Sequence, residues 1–196
     1  MSDVVRTKRD GKVLEITLDR PPVNAIDAAT SMALYEAFHE LQEDDDLLIG
    51  IVSGVGERAF SAGWDLKSVA ASDSAADAET KESPGGFAGI TEYWYLYKPV
   101  IGAVNGFAIG GGFEVVLHCD YNVAHTNVVL GLVESLVGLI PAGGGCKEML
   151  WRWLQTPEGK ENSEHASMKV FDLIGYAITC LLYTSPSPRD GLRSRM

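Results

Sequence analysis

Two short apolar runs most constrain how this chain of 196 residues can fold. Residues 47–52 read LLIGIV and residues 100–104 read VIGAV, so each run is continuously apolar apart from one glycine. Such runs are typical of strands that are buried on both faces of a parallel sheet. Parallel strands need crossover connections, which are usually helices. The sequence therefore predicts an α/β fold with at least one parallel layer.

Turn and capping residues indicate the elements around these two runs. Asp10 and Gly11 join two β-branched runs, residues 4–9 and 13–18, which is a hairpin signal. Asp27 is a candidate N-cap for a helix that ends near three successive aspartates. The apolar positions of that helix are Met32, Leu34, Tyr35, Phe38 and Leu41.

Further elements follow along the chain. Residues 70–86 are small and acidic and predict a surface loop. The aromatic-rich residues 90–97 are predicted to be helical. Further helices are expected at 113–118 and 147–154, and short strands at 121–124 and 128–130.

Charge and cysteine usage exclude several classes of protein. The formal net charge of −11 argues against nonspecific binding to nucleic acid or to an anionic membrane. The three cysteines show no CxxC spacing, which argues against a disulfide scaffold or a zinc site and favours a reducing compartment. The first ten residues lack the apolar core of a signal peptide, and no run approaches the ~20 apolar residues of a membrane span. We therefore expect a cytoplasmic protein without a metal.

The last seventeen residues, 180–196, differ in composition from the rest of the chain. They read CLLYTSPSPRDGLRSRM and have no helical or strand period. A disordered terminus is one interpretation. We favour another, in which this segment is a translated sequencing-library adapter and residues 1–179 are a partial domain.

Three segments concentrate the residues that could carry chemistry. Residues 60–66 (FSAGWDL) follow the first apolar run, and residues 105–114 (NGFAIGGGFE) follow the second. The third is GLVE at 131–134, with GLIP and a glycine triplet after it. Ligands of α/β proteins bind beyond the carboxyl ends of the strands, where the first two segments lie.

The ordinary interpretations of these segments are turns and surface carboxylates. The glycine triplet matches neither the P-loop nor the dinucleotide fingerprint. Glu114 and Glu134, however, both lie among apolar residues. Burying a carboxylate costs several kcal/mol unless it is paired or protonated, so a functional role is favoured for both.

Taken together, SAGWDL, NGFAIGGGFE, VE and GLIP resemble the crotonase superfamily of enoyl-CoA hydratases and isomerases. The first hundred or so residues are most similar to the carnitinyl-CoA dehydratase branch. From about Glu114 the chain is more similar to the hydratase portion of 3-hydroxyacyl-CoA dehydrogenase-type fatty-acid oxidation proteins. A single natural lineage and a chimeric assembly would both produce this change.

The resemblance implies a spiral of repeated ββα turns, C-terminally truncated here, because the family runs to roughly 250 residues and ends in trimerising helices. It implies an acyl-CoA substrate, with coenzyme A as part of that substrate and no separate cofactor. The full-length parent would be a homotrimer or a dimer of trimers that acts in fatty-acid metabolism, including β-oxidation.

The resemblance also assigns site residues. Glu114 and Glu134 match the two catalytic glutamates, with Glu114 activating water and Glu134 delivering a proton to C2 of the acyl chain. Ala62 and Gly111 match the donors of the oxyanion hole. The coenzyme A contacts are expected at Arg20, Ala25, Ala62, Gly63, Trp64, Asp65 and Gly111.

Three functions remain open at this stage. A hydratase or dehydratase of the EC 4.2.1 type is favoured because both glutamates are present, whereas isomerases of the superfamily typically keep one. An enoyl-CoA isomerase is the second. An inactive fragment, or at most a binder of CoA thioesters, is the third. Arg20 could bind a phosphate or could be a solvated arginine at the end of a strand.

Overall fold

The computed structural model describes residues 4–70, 83–134 and 138–161. Two predicted segments lie mostly or wholly outside these residues: the loop at 70–86, of which 71–82 are not described, and the tail at 180–196. The described residues form an α/β fold, as predicted.

A five-stranded sheet forms the main layer, and its strand order is β1-β2-β3-β5-β7. These strands are β1 (Val5–Asp10), β2 (Val13–Leu18), β3 (Ile49–Gly54), β5 (Val100–Val104) and β7 (Tyr121–Ala124). Only β1 and β2 pair antiparallel, and the Asp10–Val13 pair closes the predicted hairpin. The β2–β3, β3–β5 and β5–β7 pairs are parallel, which confirms the prediction made from the two apolar runs.

A second, three-stranded parallel sheet carries the site. Its strands are β4 (Ala59–Ser61), β6 (Phe107–Ile109) and β8 (Leu130–Gly131), in the order β4-β6-β8. Helix α2 (Leu66–Ala70) follows β4, and helix α3 (Gly111–His118) follows β6. The chain therefore repeats one pattern of a long strand, a short strand and a helix: first β3, β4 and α2, then β5, β6 and α3. Helices α4 (Gly145–Gln155) and α5 (Pro157–Glu161) complete the described chain.

Helix α1 (Ala28–Glu43) covers one face of the main sheet. The Asp27 carboxylate accepts a hydrogen bond of 2.8 Å from the Thr30 amide, which confirms the predicted N-cap. Leu34, Phe38 and Leu41 are buried, as the helical period predicts, whereas Met32 is 38% exposed. The apolar face of this helix and the sheet together form the core.

The predicted helix at residues 90–97 is absent, and the structure shows turns there instead. A short 3₁₀ turn, Phe87–Gly89, precedes it, and Ala88 and Gly89 both have positive φ angles, of 54° and 68°. Aromatic residues have weak helix propensity, and Trp94, Tyr95 and Tyr97 are 69–76% exposed. Ile90 and Tyr93 reach the core from turns, so their burial does not require a helix. The strand predicted at 128–130 is displaced: β8 spans Leu130–Gly131 and shares only Leu130 with the prediction.

Candidate active site

The candidate site lies at the ends of β4 and β6. The loop that follows β4 packs there directly against the first turn of α3. A Cβ atom at Gly63 would lie only 2.6 Å from the amide nitrogen of Gly111. Gly63 also has a φ of +80°, a conformation that favours glycine. The glycine therefore permits the loop after β4 to approach the first turn of α3 closely.

Helix α3 begins without a side-chain cap at Gly110. Within the part of the chain that the structure describes, the amides of Gly111 and Gly112 have no hydrogen-bond acceptor. Free amides at a helix N-terminus form a site of positive potential that suits a negatively charged oxygen. The Gly111 amide, which the family resemblance assigns to the oxyanion hole, is thus available to donate to such an oxygen.

The predicted second donor, Ala62, requires correction. Its amide donates a hydrogen bond of 2.9 Å to the carbonyl of Val23, so it is already engaged. Residues 62–65 run parallel to residues 23–26. The Ile26 amide donates to the Gly63 carbonyl and the Asp65 amide donates to the Ile26 carbonyl.

The Trp64 amide differs from its neighbours. Successive backbone groups of an extended segment point to alternate sides, so this amide points away from residues 23–26. Among residues 4–70, 83–134 and 138–161 it meets no acceptor. Two residues beyond the predicted position, the chain therefore carries a free amide next to the α3 N-terminus. The sequence motif indicates this loop but not which of its amides is free.

Two aromatic rings cover this pair of amides. Trp64 and Phe87 are stacked with ring centroids 5.5 Å apart and an interplanar angle of 11°. A Cβ atom at Gly111 would lie 2.6 Å from the Phe87 ring. The apolar cover lowers the local dielectric constant, which strengthens any hydrogen bond made to these amides.

Ser61 was missed by the sequence reasoning, although it supports the same loop. Its buried hydroxyl donates to the Asn24 carbonyl at 2.7 Å and accepts from the Gly63 amide at 3.0 Å. Asn24 is also buried, with a φ of +51°, and its side-chain amide donates to Ala59 at 2.9 Å. The combination of Asn24 and Ser61 fixes the start of the loop from both sides.

Glu114 lies in the first half of α3 and is 2% exposed. Its Oε1 accepts a hydrogen bond of 2.8 Å from the Gly145 amide. Cβ atoms at Gly143 and Gly145 would lie 2.6 Å and 3.0 Å from its carboxylate oxygens. The glycine run at 143–145 thus allows the backbone to approach this carboxylate closely.

Glu134 follows β8 and lies near the start of α3. Its Oε1 is 3.2 Å from the place where a Cβ at Gly110 would be. Both carboxylate oxygens are buried, and neither has a hydrogen-bond partner among the described residues. Burial raises the pKa of Glu134, and the nearby amides of Glu134 and Val133 offset the shift in part.

The Cys146 thiol is close enough to both carboxylates to be affected by their charges. Burial raises the pKa of its thiol, and the negative charges of Glu114 and Glu134 raise it further. Both carboxylates therefore lie near Cys146, in the first turn of α4. The structure thus brings together Gly63, Trp64, Gly111, Glu114 and Glu134.

Three other predicted contact residues form a separate cluster. The Arg20 guanidinium donates to the Ala25 carbonyl at 2.8 Å, to Asp27 at 2.8 Å and to Asp65 at 2.7 Å. Arg20 is therefore neither an unpaired phosphate ligand nor a solvated arginine. The Asp27 and Asp65 carboxylates hold it within the fold.

Two features are absent from residues 4–70, 83–134 and 138–161. No group of three or more His, Cys, Asp or Glu side chains there could hold a metal ion. No helix in the same ranges has the length and hydrophobicity needed to cross a bilayer.

Known proteins similar to this chain carry consistent descriptions. Residues 8–161 match the family model described as enoyl-CoA hydratase/isomerase. Carnitinyl-CoA dehydratase of Salmonella arizonae is 51% identical over 145 residues, which cover 74% of this chain and 54% of that protein. The chain thus spans about half the length of the curated relatives it matches.

Solved structures agree with the sequence matches. A probable enoyl-CoA hydratase/isomerase from Mycobacterium abscessus has a TM-score of 0.68 and 37% identity, and the match covers 78% of this chain and 57% of that one. A carnitinyl-CoA dehydratase from Mycobacterium avium has a TM-score of 0.70 and 34% identity, and the match covers 82% of this chain and 61% of that one.

Proposed function

Because the chain belongs to the enoyl-CoA hydratase/isomerase family and has its crotonase-like α/β fold, we propose that it carries a hydratase or dehydratase site. The reaction is the addition of water to, or its removal from, the 2,3 double bond of an acyl-CoA thioester. One observation carries the proposal: two buried carboxylates, Glu114 and Glu134, flank a helix start with free amides.

The amides of Gly111 and Trp64 are proposed as the oxyanion hole. Addition of water gives the thioester oxygen negative charge as C2 gains enolate character. Two preorganised donors stabilise that charge, and removing one such donor costs about 2.7–4 kcal/mol in other enzymes. This assignment is supported by two observations: both amides lack acceptors among the described residues, and they lie on adjacent segments.

The two glutamates are proposed to divide the proton transfers. Glu114, which accepts a hydrogen bond from Gly145, is assigned to activate the water. Glu134 is assigned to deliver the proton to C2, because burial raises its pKa and so favours its protonated form. Different environments separate the two roles, as acid–base catalysis with two carboxylates requires.

Gly63, Trp64 and Gly111 remain the best-supported contacts for the substrate. The Trp64–Phe87 stack borders the proposed oxyanion hole and would contact the acyl group. Ala25, Ala62 and Asp65 stay proposed contacts for coenzyme A, through groups other than those in the hydrogen bonds described above.

A partial domain is the second proposal, supported by the match to 54% of the curated relative. On this proposal residues 1–179 belong to a longer, trimeric protein of a reducing compartment, and residues 180–196 are foreign. Sequencing the uninterrupted gene tests it, since tail codons present in genomic context would contradict it. A soluble, active trimer of the chain as it stands would also contradict it.

Hydration of crotonyl-CoA by the protein from the uninterrupted gene tests the activity. The readout is loss of the conjugated enoyl-thioester absorbance. We expect Glu114→Gln and Glu134→Gln each to lower kcat by about 10²- to 10⁴-fold, the usual contribution of one acid–base group. Glu36→Gln, an exposed glutamate on α1, is the matched control and should retain activity. Unchanged turnover in both site variants would contradict the two-carboxylate mechanism.

An isomerase is distinguished in the same assay. A 3-enoyl-CoA supplied as substrate would gain conjugated absorbance in an isomerase, without net hydration of crotonyl-CoA. That result, with only one glutamate required, would replace the hydratase assignment.

A further inference from the structure

One guanidinium joins three separated acceptors beside the proposed oxyanion hole. Arg20 lies just after β2, and its three bonds reach the Ala25 carbonyl, Asp27 and Asp65. Asp27 is the N-cap of α1, and Asp65 directly follows Trp64. The arginine therefore links the end of β2, the start of α1 and the loop that carries the Trp64 amide.

The contact with Asp65 is well formed and partly shielded from solvent. The side chains of Arg20 and Asp65 are 27% and 18% exposed. Asp65 also accepts from the Lys67 amide at 3.1 Å, which orients its carboxylate from the other side. Hydrogen bonding by Arg20 is the largest cause that lowers the pKa of Asp65.

The orientation of the Trp64 peptide depends on this anchored segment. Backbone bonds from Ala62 and Asp65 to residues 23–26 hold the segment along its length, and the Arg20–Asp65 bond holds its end. A planar guanidinium fixes direction as well as distance, because its donors form a rigid fork. Small displacements matter at such a site, since a misplacement of about 1 Å can cost about 100-fold in rate.

We propose that Arg20 is a positioning residue, which aims the Trp64 amide at the thioester oxygen by holding Asp65, and that it does not bind a phosphate of coenzyme A. The inference rests on the proposed function, because it assigns Arg20 a task in that same oxyanion hole. Its donors already serve three protein acceptors, and any phosphate would have to compete with two carboxylates.

Two thioester substrates separate positioning from phosphate binding. Crotonyl-CoA carries the nucleotide phosphates, and crotonyl-pantetheine lacks them. Arg20→Gln should lower kcat by about 10- to 100-fold with both substrates, a part of the effect of losing one donor, while KM changes less than about threefold. A phosphate ligand would instead raise KM for crotonyl-CoA alone and leave the turnover of crotonyl-pantetheine unchanged.

Arg9 provides a matched control, because it also bridges two carboxylates. Its guanidinium contacts Glu40 at 2.8 Å and Asp44 at 2.7 Å, near the other end of α1. Arg9→Gln should therefore keep kcat within about twofold of the wild type. Circular dichroism verifies that each variant is folded.

Milder variants keep the test valid if Arg20→Gln does not fold. Arg20→Lys retains a charge but not the fork, and Asp65→Asn removes the carboxylate but not the bond from Lys67. Both should lower kcat, and Arg20→Gln with Asp65→Asn should lose less than the product of the single losses.

Absorbance of the bound enoyl thioester gives a readout independent of turnover. Oxyanion-hole donors polarise the thioester carbonyl and shift its absorbance to longer wavelength. The shift should shrink in Arg20→Gln and persist in Arg9→Gln. If the wild type turns over and the Arg20 variants have the same kcat and the same spectrum, this inference alone is overturned. A wild type that neither turns over nor binds the thioester would overturn the proposed function and the inference together.

Discussion

Adding a single methyl group opposite Glu114 tests whether its carboxylate acts where the structure holds it. Gly143→Ala is suitable because Gly143 is not in the left-handed region, so alanine is not strained by its backbone. The new Cβ would lie 2.6 Å from Glu114 Oε2 and 3.0 Å from its Cδ. The three atoms nearest to it all belong to the Glu114 carboxylate, so the substitution pushes directly on that group.

The size of the effect follows from these distances. Ordinary van der Waals contact begins at 3.4 Å, so the carboxylate must retreat by about 0.8 Å. Glu114 is 2% exposed and its Oε1 is held by the Gly145 amide, so the retreat also strains that hydrogen bond. A displacement of this order costs about 100-fold in kcat, and overpacking costs about 1–3 kcal/mol of stability.

Steady-state hydration of crotonyl-CoA and urea unfolding measure the two effects. Gly131→Ala is the matched control, because a Cβ there meets nothing within 4 Å and the residue also has no left-handed φ. We expect it to keep both kcat and stability. A folded Gly143→Ala protein with kcat within about threefold of the wild type would refute the argument that the glycine loop sets the reacting position of Glu114.

Two further predictions concern stability. Glu134→Gln should raise the unfolding midpoint near pH 7 but not near pH 4. The reason is that the raised pKa of Glu134 makes the folded state bind more protons than the unfolded state, so wild-type stability falls as the pH rises from 4 to 7. Thermal melts at the two pH values check this. A wild type at least as stable as the variant near pH 7 would contradict it. Ser61→Ala should destabilise the fold by about 1–3 kcal/mol for each buried group left unpaired, namely the Asn24 carbonyl and the Gly63 amide. Urea titration measures it, and a loss below about 0.5 kcal/mol would show that water or a neighbour replaces the hydroxyl.

Local signals predict much of the fold. The Asp10–Gly11 turn, the Asp27 cap and the two apolar runs each specify an element through neighbouring residues, and the structure confirms them. The helix predicted at residues 90–97 is wrong: Trp94, Tyr95 and Tyr97 are exposed, and Tyr93 reaches the core from a turn. Burial of a face is decided by the tertiary structure, which a local pattern does not contain.

In the candidate site too, local motifs predict some features, and the tertiary structure decides the others. The motifs indicate the loop after β4, the α3 start and both glutamates. They do not identify Trp64 as the residue with the free amide, because that depends on pairing with residues 23–26, about forty positions earlier in the chain. Arg20 is a similar case, since its partner Asp65 lies 45 positions away. Contacts of this length are set by the register of parallel segments rather than by spacing.

The free amide of Trp64 has a consequence for how such a site can diversify. A hydrogen bond donor that belongs to the main chain is present whatever side chain the position bears, proline excepted. The indole beside it can therefore be exchanged for a smaller or more polar group without removing the donor. In the proposed site, acyl preference and charge stabilisation would thus be encoded separately at one residue. Under the proposed function, selection could change which thioester is accepted while the chemistry stays intact.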